Sequence, residues 1–201
     1  MLQSQAPGSR RQVLREHGFL IFESRAEAEP VLASLGTEDH REVLEPKPTN
    51  GRQWSHSDRY GFGAFPWHTD GALTSEPPRW MVLECVMAEE STATELLRPS
   101  KELLGRLRRC AMVVRNRTGR VRHLPAVSPT GAGEMRLRWD PRVCEVNDAE
   151  LPRLIEEQGP SAVCLWKEGR ILVVDNWGLL HRRPPVSPAA PRRLVRTYIE
   201  R

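Results

Sequence analysis

The chain has 201 residues, a net charge of +4, and a composition of 39% hydrophobic and 28% charged residues. That is a globular balance with enough length for one sizeable core, read here as a single domain over residues 1–201. It excludes a membrane-spanning helix, which needs roughly 20 consecutive apolar residues, and the polar start Met1–Arg15 lacks the apolar stretch of a secretory signal, so a cytoplasmic location is expected.

Residues 1–9 read as a disordered tail of Gln, Ser, Pro and Gly. Arg10–His17 has helical spacing and is broken by Gly18, after which Phe19–Phe22 reads as a short buried strand. Ala26–Leu35 is a helix ending at Gly36, and Arg41–Glu45 a strand closed by Pro46 and Pro48. Thr49–Gly63 is a long loop, rich in Gly, Ser, Asn and Asp, of the kind that lines sites; His56, Ser57, Asp58 and Arg59 lie where they could meet substrate, and a solvated loop is the preferred reading for them. Arg79–Met87 is a strong strand, and Glu89–Thr94 turns the chain. Ser100 caps a helix to Arg109 whose apolar face is Leu103, Leu104 and Leu107. Ala111–Arg115 is a strand, Arg117–Arg122 and Ser128–Glu134 are turn-rich, and Met135–Trp139 alternates as a strand. Asp148–Gln158 is a helix, Val163–Trp166 and Ile171–Asp175 are strands joined by the tight turn Lys167-Glu168-Gly169, and Arg193–Ile199 is the last strand. About eight short strands with few helices, no repeat and no βαβ alternation predict a mainly β fold, a barrel or jelly roll with helices outside.

The four cysteines are far apart, with no CxxC pair, and read as buried thiols rather than a zinc site or a disulfide framework. Arginines number 27 against 3 lysines. They are scattered rather than gathered into a run interleaved with aromatics, so neither nucleic acid nor membrane is an expected partner, and one or two are better suited to an anionic small molecule. The phosphate-cradling patterns GxGxxG and GxxxxGK[ST] are absent.

The chemistry concentrates in Phe65-Pro66-Trp67-His68-Thr69-Asp70-Gly71. His68 and Asp70 are two apart, so on an extended backbone they face the same side. His181 ends a second apolar strand, 111 residues after Asp70. Two histidines and one carboxylate, with positions left open, form the ligand set of a non-haem Fe(II) oxygenase. Arg192 and Arg196 follow His181 at +11 and +15; four apart on a strand they share a face, and an arginine fork near an iron site can hold the distal carboxylate of 2-oxoglutarate. A register slip would give that role to Arg193. Trp67 and Trp177 read as wall packing, Asp175 and Asn176 as strand-end turn formers, and Tyr60 and Phe62 as possible pocket lining.

FPWHTDG, WKEGRILVVDNWGLLHRR and PRRLVRTYI together resemble the TauD/TfdA, or clavaminate-synthase-like, family of Fe(II)/2-oxoglutarate dioxygenases. The likeness is strongest over 58–98 and 163–199, weaker over 1–50, and intermediate between, where RLRWDP has the family's look. It implies a double-stranded β-helix core of jelly-roll or cupin type with a few flanking helices. It implies that His68, Asp70 and His181 bind Fe(II), that Arg192 pairs with 2-oxoglutarate, and that Thr94 assists, although the usual Gly-Gly run before that threonine is missing. Arg196 matches a position that in some members touches an anionic substrate and in others supports the co-substrate. The activity implied is O2-dependent oxidation of an unactivated C–H bond in a small molecule, an amino acid or natural-product intermediate, with hydroxylation favoured over desaturation or cyclisation. Halogenating relatives lack the carboxylate ligand that Asp70 supplies here. The segment between Asp70 and His181 is compact compared with many relatives, which points to a reduced substrate lid. Two other readings stay open: a non-catalytic metal- or ligand-binding module on this fold, and a cupin-like metal enzyme without 2-oxoglutarate.

Overall fold

A computed structural model describes residues 7–51, 55–89, 92–116 and 118–200. The first helix, α1, covers Pro7–His17 and so begins inside the expected tail, of which residues 1–6 lie outside the described residues. Strand β1, Phe19–Phe22, follows at once. Helix α2, Arg25–Leu35, starts where the Ser24 hydroxyl accepts the Glu27 N–H, which satisfies one of the orphan donors of a helix start. It ends at Gly36, where a Cβ would sit 2.0 Å from the Glu200 carbonyl oxygen. Only glycine allows the two backbones to come that close.

Strand β2 runs Thr37–Leu44, four residues earlier than the sequence pattern suggested. Seven of its eight residues are exposed, so it carries no apolar alternation to betray it. A short helix α3, His56–Tyr60, interrupts the long loop; residues 52–54 of that loop lie outside the described residues. Strand β3 is Trp80–Ala88 and β4 is Ala93–Leu97. The turn expected through Thr94 is therefore shorter, and Thr94 belongs to a strand. Helix α4, Lys101–Arg108, is capped by Ser100 through the Leu103 N–H. Then come β5, Ala111–Arg115, β6, Val121–Pro125, and β7, Val127–Pro129, the last two each overlapping by two residues a stretch read from sequence as turn-rich. They are followed by β8, Met135–Leu137, β9, Cys144–Val146, and α5, Leu151–Glu156. Strands β10, Ala162–Leu165, β11, Ile171–Asp175, β12, Leu180–Arg182, and β13, Arg192–Glu200, complete the chain.

The strands pair antiparallel. A five-stranded sheet has the order β1-β11-β3-β13-β2, and a three-stranded sheet the order β10-β4-β12. β3 and β11 are buried on both faces, which explains why they read as unbroken apolar runs. Trp80, Val82, Ile171 and Val173 point outward and pack under α1 and α2. Met81, Leu83, Cys85, Leu172 and Val174 point inward and meet Leu96 and Cys164 of the smaller sheet and Trp166 just past β10. A third cluster joins Trp67 and Trp139 to α4, α5 and β5. The result is a mainly β jelly roll with flanking helices, as the sequence predicted. No helix among the described residues is long and apolar enough to cross a membrane.

Candidate metal centre and its cavity

The two sheets open onto a cavity of about 710 Å³ lined by His56, His68, Asp70, Thr94, His181, Arg183, Arg192, Arg196 and Tyr198, among others. The chain brings its distant histidines together through backbone pairing. His68 and His181 form an isolated antiparallel bridge, with His68 N–H to His181 O at 3.1 Å and the reverse bond at 2.9 Å. Thr69 is locked to Trp139 by its amide and its hydroxyl. Asp70 is fixed at its backbone by Asn176, whose Oδ1 accepts the Asp70 N–H at 2.8 Å and whose Nδ2 donates to the Asp70 carbonyl at 3.0 Å and to that of Pro78 at 2.8 Å. Gly71 follows with φ of 72°, and a Cβ there would stand 2.8 Å from Pro78. The sharp exit after Asp70 thus requires glycine.

His68 Nδ1 lies 2.9 Å from the Pro66 carbonyl oxygen. A carbonyl only accepts, so the ring proton sits on Nδ1 and the Nε2 lone pair faces the cavity. Asp70 Oδ1 is 3.9 Å from His68 Nε2 and 3.8 Å from His181 Nε2, and all three ligand atoms fall within 4.8 Å of one another. Two donors at right angles and about 2.1 Å from an ion stand roughly 3 Å apart. Small side-chain rotations therefore suffice, and the donor set fits a divalent transition metal. Burial, and then the neighbouring His181, hold the His68 pKa well below the usual histidine value, which keeps its ligand lone pair free at neutral pH. Burial pushes Asp70 upward, but Arg196 and His181 outweigh it and the carboxyl stays well below its usual range.

Arg192 is 8% exposed and has no hydrogen-bonded or ionic partner among the described residues. Burial, and then the like charge of Arg183, pull its pKa down to about 10. Thr94 lies in the same cavity, and its hydroxyl oxygen accepts the Trp166 Nε1–H at 3.1 Å, which leaves the hydroxyl proton to donate. Arg193, by contrast, faces outward and pairs with Glu45. The sharing of one face by Arg192 and Arg196 is as expected, but Arg196 is engaged: Nη1 donates to Asp70 Oδ2 at 3.0 Å and Nη2 to Glu42 at 2.5 Å.

Three contributors escaped the sequence reading. Tyr198 O–H donates to Asp70 Oδ2 at 3.0 Å; it is two residues past Arg196 and on the same strand face, so period-two spacing could have found it. Arg183 is buried, donates to the carbonyls of Gly61 and Gly63 at 2.6 Å each, and lies 3.9 Å from the Phe65 ring centre. His56 corrects an expectation, because it is not solvated. Its ring centre is 3.7 Å from that of His68, and its Nε2 is buried 3.8 Å from Asp140. Trp67 is fully buried under Arg182 and packs in the core beside α4 and α5 rather than on the cavity lining.

Comparison with solved structures bears on this arrangement. A taurine dioxygenase from Burkholderia xenovorans matches with a TM-score of 0.68 over 99% of this chain and 82% of its own, at 18% identity. PvcB from Pseudomonas aeruginosa matches with 0.65 over 98% and 81%, at 19% identity. An asparagine oxygenase, solved with Fe(II), 2S,3S-3-hydroxyasparagine and succinate, matches with 0.69 over 96% and 79%, at 16% identity. The fold is that of these oxygenases. No protein-family profile matches the chain and no curated protein matches it in sequence. Within this shared fold, His68, Asp70 and His181 converge at the cavity that also holds Arg192, unpaired among the described residues.

Proposed function

We propose that the protein is an Fe(II)- and 2-oxoglutarate-dependent oxygenase of the TauD/TfdA type, acting on a small molecule. The observation that carries this reading is the pairing, in one cavity, of a two-histidine, one-carboxylate cluster with a buried guanidinium that has no partner of its own. His68 and His181 offer Nε2 and Asp70 offers Oδ1 to the iron. Arg192 takes the distal carboxylate of 2-oxoglutarate, with the Thr94 hydroxyl as a second donor. A buried cation without an acid is costly unless a ligand completes it, and a carboxylate suits an arginine fork. With Fe(II) and 2-oxoglutarate held there, the site would use O2 as the oxidant, one oxygen atom going to succinate as 2-oxoglutarate loses CO2 and the other to the substrate C–H bond.

The rest of the chain orients and excludes. Asn176 and Gly71 hold the ligand strand, while Arg183 pins the 61–63 turn against the cavity wall. His56, Ala72, Leu73 and Thr74 line the substrate side. An amino acid or natural-product intermediate fits a cavity of this size, and the carboxylate ligand favours hydroxylation. Because Arg196 is held by Asp70 and Glu42, it is not counted as an anchor for an anionic substrate.

The test is succinate formation from 2-oxoglutarate by purified protein with Fe(II) and O2, across a panel of amino acids and related metabolites, read with product mass. Stimulated succinate that disappears in His68→Ala and that needs at least thirtyfold more 2-oxoglutarate in Arg192→Met supports the reading. Metal binding without any such turnover favours a binding module, and substrate conversion indifferent to 2-oxoglutarate favours another cupin-type enzyme.

A further inference from the structure

The two oxygens of Asp70 have different surroundings. Oδ1 faces the ring nitrogens of His68 and His181. Oδ2 faces away and accepts two hydrogen bonds, from Arg196 Nη1 and from the Tyr198 hydroxyl, each 3.0 Å long. The two donors are themselves fixed. Arg196 is anchored at its other nitrogen by Glu42, and the Tyr198 ring stacks on His40 with centres 6.0 Å apart. Both project from the cavity face of β13, two residues apart. The Asp70 backbone is held on both sides by Asn176. Little freedom is left for the carboxylate to turn.

A carboxylate can bind a metal through one oxygen or both. On a six-coordinate ion, two histidines and a chelating 2-oxo acid leave two positions. A one-oxygen carboxylate keeps one of these open, and a two-oxygen carboxylate fills both. Two donors on Oδ2 satisfy that oxygen and turn only Oδ1 toward the metal.

We propose that Arg196 and Tyr198 are positioning residues that clamp Asp70 as a one-oxygen ligand, so that the site keeps an open coordination position. This rests on the metal-site reading above and assigns to Arg196 a role different from substrate or co-substrate anchoring. Partners of a metal ligand of this kind are worth 10- to 100-fold in affinity or activity.

The experiment titrates Co(II) into metal-free protein and follows both affinity and the visible d–d spectrum, whose intensity falls as coordination number rises. Tyr198→Phe keeps the ring and its stacking on His40 but deletes the donor. It is expected to weaken Co(II) about tenfold because Asp70 loses a partner that orients it, and to lower band intensity where the released Oδ2 reaches the metal. Arg196→Lys keeps the charge but loses the fork, and is expected to move both readouts the same way, which serves if Tyr198→Phe does not fold. Unchanged affinity and spectrum in the folded variants would overturn the clamp. So would an Arg196→Lys effect confined to the KM for 2-oxoglutarate or substrate. Failure of the underlying reading looks different: the wild-type protein gives no one-equivalent Co(II) spectrum, or His68→Ala retains it, and the clamp falls with it.

Discussion

Replacing Arg192 by Met separates the ligand-free stability of the fold from its capacity for an anion. Arg192 is 8% exposed and unpaired among the described residues, with its pKa down at about 10 against an ordinary value of about 12.5. At about 1.4 kcal/mol per pH unit, that drop corresponds to roughly 3 kcal/mol from burial and the like charge of Arg183 together. Met is of similar length and carries no charge, so the ligand-free variant should be more stable by up to about 3 kcal/mol, less any repacking cost. In a chain of this size each kcal/mol moves Tm by about 2–4 °C. The ligand response should move the other way. At a hundred times its Kd, 2-oxoglutarate adds about 2.7 kcal/mol to the wild-type protein. Loss of a buried charge partner costs about 2–5 kcal/mol, at least a thirtyfold rise in Kd, so the same concentration should add less than about 1 kcal/mol to the variant. The assay is urea unfolding with Mn(II), with and without 2-oxoglutarate. Arg193→Met, exposed and paired with Glu45, is the control and should change neither quantity by more than about 0.5 kcal/mol. A variant that is less stable without ligand yet keeps the full 2-oxoglutarate shift would refute the reasoning.

Three further outcomes follow from the same geometry. Burial keeps the pKa values of His56 and His68 well below 6.5, so the unfolded chain binds protons that the folded one does not. Stability of the metal-free protein should therefore fall as pH drops below about 6.5, by at most about 1.4 kcal/mol per pH unit for each histidine, and urea midpoints at pH 7.5 and 5.5 should show a smaller difference in His56→Gln. Asn176→Ala strips two buried backbone groups and a half-buried one of their partners and should cost roughly 2–4 kcal/mol, with weaker Mn(II) binding by calorimetry. Arg183→Ala releases the 61–63 turn, and limited proteolysis should then cut within residues 55–65 faster than in the wild type while the core strands stay protected.

The parts of the site that lie on strongly patterned strands were legible in the sequence. His68 and Asp70 share a face by period-two spacing, and Arg192 is four residues from Arg196 on β13; His181, expected at the end of the apolar strand, instead lies in the middle of the separate three-residue β12, since β11 stops at Asp175. What was hidden depends on pairing across the fold. β2 is almost wholly exposed, so no alternation marks its first four residues. Thr94 read as part of a turn because its strand status comes from pairing with Cys164 in β10. His56 sits in a polar loop whose composition says solvent, yet α3 turns its ring onto His68. The engagement of Arg196 by Asp70 and Glu42 joins residues 126 and 154 positions apart, and local spacing carries no trace of it.

The central claim is that His68, Asp70 and His181 hold one Fe(II) to which 2-oxoglutarate chelates, its far carboxylate on Arg192. A 2-oxo acid chelated to Fe(II) absorbs visible light by metal-to-ligand charge transfer, so an anaerobic titration reads the assembled site directly. One equivalent of Fe(II) with 2-oxoglutarate should raise that band to saturation in the wild-type protein, His181→Ala should show none, and Arg192→Met should need at least thirtyfold more 2-oxoglutarate, by the same roughly 2–5 kcal/mol. No band in the wild-type protein, or an undiminished band in His181→Ala, would contradict the account.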